Sequence, residues 1–177
     1  MNPLKIGTAS WTDKSLIDSG VYYPKDCTSA EARLRFYSEE FPLVEVDSTY
    51  YGLPSERNSG LWVGRTPSDF TFNVKAFRLF TTHQTPPRAL PVEVRDELPP
   101  ELKSKKNVYY REMPAPLRER LWEMFESALQ PLKDAGKLGV IVLQFPPWLL
   151  ESASSQSRIR STTPRRVGNS CLSCREG

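Results

Sequence analysis

The sequence predicts an α/β fold built on a parallel sheet, and three observations carry that prediction. Strand-like and helix-like segments alternate along the chain in the order β-α-β-α-β-insert-α-β. The strand-like segments have near-continuous apolar faces, as strands covered by helices do. The connections are long enough for helical crossovers, which in such sheets are right-handed. Either a doubly wound sheet or a barrel of alternating strands and helices satisfies this order. No GxGxxG and no Walker sequence is present, so the simplest nucleotide-binding readings are absent.

The elements follow in chain order. "LKIGTASW" (4–11) reads as a short strand ending at small polar residues and a Trp. "SAEARLRFYSEEF" (29–41) spaces Ala30, Leu34, Tyr37 and Phe41 as one helix face, with Ser29 as N-cap. The strand 43–51 alternates Val44, Val46 and Ser48 with Glu45, Asp47 and Thr49. "ERNSGLWVGRT" (56–66) predicts a helix that stops before Pro67, and "DFTFNVKAF" (69–77) a strand with clean alternation. Residues 80–115, rich in Pro and charge, read as a long insertion over the body. "PLRERLWEMFESALQPLKDAG" (116–136) predicts an amphipathic helix that Pro131 ends or kinks, with Gly136 as its C-cap. "KLGVIVLQFPPW" (137–148) completes the set as an apolar strand.

Composition bounds the function classes. The chain has 177 residues, one domain's worth, and 38% hydrophobic content. It has no apolar run of membrane-spanning length and no leader pattern at its start, so no membrane partner is expected and the expected location is cytoplasmic. Three cysteines, Cys27, Cys171 and Cys174, suggest no disulfide framework. The net charge of +3 belongs to the end of the chain: residues 1–151 hold 19 basic and 20 acidic residues, whereas 152–177 hold five Arg and one Glu. Nucleic acid is therefore not the expected partner, since the body offers no basic track. Residues 152–177 contain seven Ser and no aromatic residue. They are expected to form a basic, unstructured tail, or an out-of-frame sequence following an interrupted gene. The expected division is a domain over 1–151 and a tail over 152–177.

Several segments together resemble the DUF72 (YecE-like) family: "IGTASW" (6–11), "YYP" (22–24), "FYSEEFPLVEVDSTYYGLP" (36–54), "LWVGRTPSDFTFNVKAF" (61–77), "TTH" (81–83) and "AGKLGVIVLQFPPW" (135–148). The resemblance implies a cytosolic (β/α)8 TIM barrel of unestablished activity. Four strands are half such a barrel. The family's later motifs, a Glu-Phe-Arg segment and His-Gly and Asn-Asn pairs, have no counterpart here. The expectation is thus an incomplete TIM barrel, its first four βα-type units, truncated or frameshifted after about residue 150. Its open barrel edges would favour self-association.

In such barrels the strand C-termini carry the chemistry. With Val44 and Val46 against helices, Glu45 and Asp47 face the interior, and Asn73 and Lys75 do so from the neighbouring strand. An interior acid is tolerable when a cation compensates its desolvation. Glu45, Asp47 and Lys75 are therefore the catalytic candidates, with His83, the only histidine, in the following loop. The ligand-binding candidates are Ser10, Trp11, Thr49, Tyr50, Asn73, Gln144 and Trp148, the aromatic ones as a rim for stacking. No metal is predicted, the sequence names no cofactor, and "CLSC" (171–174) is a lone CxxC without redox context. The expected function is acid/base chemistry on a small polar or phosphorylated substrate, lost in the truncated form. The alternatives are a non-catalytic ligand- or nucleic-acid-binding module and a gene fragment without function.

Overall fold

A computed structural model describes residues 4–147, 149 and 173–175. Three helices begin where a side chain satisfies a free N–H group. Asp13 caps α1 (Lys14–Asp18), Ser29 caps α2 (Ala30–Glu40) and Ser55 caps α3 (Glu56–Gly64). The short helices α4 (Val92–Asp96) and α5 (Pro100–Lys103) start after prolines that cannot donate, and so does the long α6 (Ala115–Asp134). Pro131 does not end α6, which runs on to Asp134. Leu129 and Leu132 are buried on either side of the proline, and that burial holds the last turn in place.

The strands β1 (Leu43–Val46), β2 (Thr71–Lys75), β3 (Leu138–Gln144) and β4 (Ser173–Arg175) form one parallel sheet in sequential order. Val44, Val46, Phe72 and Val74 are buried, and Trp62, Leu121, Phe125 and Leu129 from α3 and α6 belong to the same core. Lys137 ties two layers together. Its ammonium, at the start of β3, donates to the carbonyls of Val63 and Thr66 at the end of α3, both at 2.8 Å. Burial pushes its pKa down, with partial opposition from Asp69.

Two further expectations change. Residues 4–11 form a single parallel bridge, Ala9 beside Glu45, rather than a strand. The backbone pairs there through Glu45 N–H to Thr8 and Ser10 N–H to Glu45, at 3.0 and 2.8 Å. Ser10, at φ 69°, then turns the chain out of extended geometry. The strand expected over 43–51 ends at Val46, because the chain coils into a 3-10 turn, Ser48–Tyr50. Of the expected tail the structure describes Ser173–Arg175 alone, as β4, which pairs with Val142–Gln144. Ladder pairing uses backbone groups alone, so a three-residue strand needs no side-chain periodicity to announce it. Residues 151–172 lie outside the described residues.

Candidate functional site at the strand ends

The site is assembled from β1, β2 and the turns that follow them. Alternation sends Val44 and Val46 to the helices and Glu45 to the opposite face, beside Asn73 in register. The 3-10 turn then carries Asp47 back over the end of β2. Lys75 Nζ lies 2.5 Å from Asp47 Oδ1 and 3.5 Å from Glu45 Oε1. The lysine side chain is only 15% exposed, against 19% for Glu45 and 33% for Asp47, so the carboxylates compensate a largely desolvated charge. Burial works against that charge, but the hydrogen bond and field of Asp47, with Glu45 behind, outweigh it. The Lys75 pKa is raised.

Tyr50 is the hub of the site. Its ring has Lys75 Nζ at 5.7 Å and the Arg78 guanidinium at 5.3 Å, both over its face. The imidazole of His83 meets it edge-on, with centroids 5.3 Å apart. Arg78 N–H donates to the Tyr50 carbonyl at 3.0 Å, which fixes the turn to the segment after β2. Burial lowers the His83 pKa, and the charge of Arg78 adds to the effect. Its Nδ1 is 2.9 Å from the Thr81 hydroxyl. Between them, Thr82 sits at φ 66°, a left-handed conformation rare for a β-branched residue.

The structure gathers Glu45, Asp47, Lys75, Tyr50 and His83 and gives the other candidates different work. The Thr49 hydroxyl is buried between the carbonyls of Val46 and Lys75, at 2.8 and 2.6 Å, where it fastens the turn to the sheet. Asn73 repairs the ladder. The β2–β3 register shifts between Phe72 and Val74, and Asn73 Oδ1 accepts the Val140 N–H at 3.0 Å in place of a carbonyl. Gly139 makes room, since a Cβ there would lie 2.3 Å from that oxygen. Trp11 is not at the rim. It is 8% exposed and packs edge-on against Trp62 and Phe72 in the core, where its large ring buries more apolar surface. The Ser10 hydroxyl pairs locally with Thr12 at 3.0 Å. Gln144 stands half-buried at the end of β3, and Trp148 lies outside the described residues. Arg78 is the participant the sequence reading missed. Its only signal is the spacing, three residues beyond Lys75 on the segment leaving β2.

Among the described residues no group of His, Cys, Asp and Glu is arranged to hold a metal ion. No helix among them is long and apolar enough to cross a membrane.

An α/β chain with a parallel sheet and a charged cluster at its strand ends defines the class. Residues 5–168 match the family described as "Protein of unknown function DUF72", and the chain belongs to that family. It is 32% identical over 143 residues to the UPF0759 protein YunF of Bacillus subtilis (strain 168), covering 81% of this chain and 40% of that one. A DUF72 family protein from Enterococcus faecalis V583 superposes with a TM-score of 0.60 at 19% identity, over 96% of this chain and 49% of its own. A second, from Thermotoga maritima MSB8, gives 0.58 at 21% identity, over 97% and 55%. The fold is thus shared, and the chain spans about half the length of the relatives it matches.

Proposed function

We propose that the parallel strands are one wall of a (β/α)8 barrel, and that the cluster around Lys75 is its acid–base site, acting on a small polar or phosphorylated substrate. One observation carries the reading: a desolvated ammonium held by two carboxylates at adjacent strand C-termini, where barrels of this kind place their chemistry. The raised pKa keeps Lys75 charged at neutral pH, so its role is proton donor or oxyanion clamp, not base. Asp47, the more exposed carboxylate, and the neutral His83 are the proton acceptors. The left-handed Ser10 and Thr82 flank the cluster, and non-glycine residues in such conformations concentrate at working sites.

The test uses a full-length family member and a panel of sugar phosphates, phosphoesters and hydroxy acids. Substitutions matching Lys75→Met and Asp47→Asn in this numbering are expected to lower turnover of any accepted compound by about a hundredfold or more with the fold retained. Turnover equal to the parent in both variants refutes the reading. A second reading, ligand binding without turnover, is favoured by the saturation of Lys75: two carboxylates leave about one of its three donors for a ligand. In that case both variants weaken binding and no compound is converted.

A further inference from the structure

The excursion after β2, residues 80–115, forms with Arg78 an open cleft of about 570 Å³ whose lining includes Arg78, Arg88, Lys103, Lys105 and Lys106. We propose that this cleft binds a small ligand carrying more than one phosphate charge, a diphosphate or a multiply phosphorylated ester. The proposal concerns binding alone and does not depend on Lys75 performing chemistry.

Five cations line the cleft and no acid does. Residues 1–151 are nearly neutral, with 19 basic and 20 acidic residues, so this is a local concentration of charge and not a share of a basic surface. Like charges gathered in a concavity raise its potential for anions. Two of the cations are held in position: Lys105 donates to Glu112 at 2.6 Å and Lys103 to the Asp96 carbonyl at 2.7 Å. Arg88 and Lys106 are exposed.

Arg78 supplies the second line of argument. Its guanidinium lies over the Tyr50 ring, and its Nε is buried without a hydrogen-bond partner. The ring holds the guanidinium at the cleft wall, where its charge adds to the attraction for an anion. The walls are preformed. Thr85 and Val108 exchange backbone hydrogen bonds at 3.0 and 2.8 Å, which sets Gln84 beside Asn107 with their amides 3.5 Å apart. The volume is that of a small-molecule site. With Lys105 paired to Glu112, a single phosphate would still leave about two of the other four charges unmatched, and a polynucleotide would find a nearly neutral body beyond the cleft.

Calorimetric titration of the full 177-residue chain with inorganic diphosphate at low salt tests this. Saturable binding is expected, tighter than for inorganic monophosphate and weakened about tenfold or more in the double variant Arg88→Gln/Lys106→Gln. Those side chains are exposed, so the variant keeps its fold. The control Lys14→Gln/Lys133→Gln removes two lysines outside the cleft and should bind as the parent does. Absence of saturable binding overturns the proposal, as does equal affinity in the cleft variant or equal loss in the control. A short single-stranded oligonucleotide binding more tightly than diphosphate would also overturn it.

Discussion

Two charged regions lie on either side of Tyr50, and they treat charge in opposite ways. At the strand ends a single ammonium faces two carboxylates within 3.5 Å. Five cations line the cleft of the excursion, and among the described residues only Lys105 is paired with an acid, Glu112. The difference follows from the backbone beneath. A strand in a sheet fixes where its side chains go, so a lysine on β2 is desolvated whether or not a ligand is present. It must find its counter-charge within the fold. The excursion is short helices and turns whose lysines and Arg88 reach water; Lys105 is paired with Glu112 there, and charge without such a partner costs little. Compensated charge marks what folding requires, and uncompensated charge marks what is left for something else.

The largest effect that tests this contrast comes from the joint between the regions. Phe80 leaves β2, stacks on Trp122 of α6 with centroids 3.8 Å apart, and meets Tyr110 edge-on at the far end of the excursion. It is 1% exposed. Phe80→Ala is expected to destabilise the chain by about 3–5 kcal/mol in urea denaturation. A loss below about 1 kcal/mol would mean that the excursion is not packed on the body as described.

Next in size is Lys75→Met, which strands two carboxylates. The expected loss is about 2 kcal/mol, less than for a fully buried pair because Asp47 remains partly in water. The sign of the pH dependence follows from the raised folded-state pKa. The contribution of Lys75 is complete below its unfolded value, near 10.5, and is lost as pH rises through the folded value. Wild-type stability should therefore fall on the alkaline side, and the part due to Lys75 should vanish in the methionine variant. The smallest effect belongs to the cleft. Arg88→Gln/Lys106→Gln is expected to shift stability by no more than about 0.5 kcal/mol, even while it weakens diphosphate binding. A large destabilisation there would erase the distinction between the two regions.

Much of this fold is written in side-chain periodicity. The spacing of Leu34 and Tyr37 gives α2, and that of Leu117, Leu121, Phe125 and Leu129 gives α6. Phe72 and Val74 give β2 and send Lys75 to the opposite face. The meeting of Lys75 with Glu45 and Asp47 is likewise legible, since period-two alternation on neighbouring parallel strands leaves those residues one face to share. What periodicity cannot carry is contact made through loops and backbone. The coil after Val46 that delivers Asp47 and the approach of Arg78 to Tyr50 depend on turn geometry. The pairing of β4 depends on the free edge of β3. Asn73 shows the opposite case: alternation sets it beside Glu45 in register, but a neighbouring backbone N–H claims its oxygen.

That oxygen has a further consequence for which substitutions this chain can accept. Asn73 stands in for a missing ladder partner, and Gly139 provides the space it occupies. The two positions form one heritable character spread over distant codons. Replacing the glycine first sets a methyl group against the amide, and replacing the asparagine first leaves Val140 N–H without its acceptor. Each single step is a fault that the other does not mend. The two residues are therefore constrained together in this chain for as long as the register is kept.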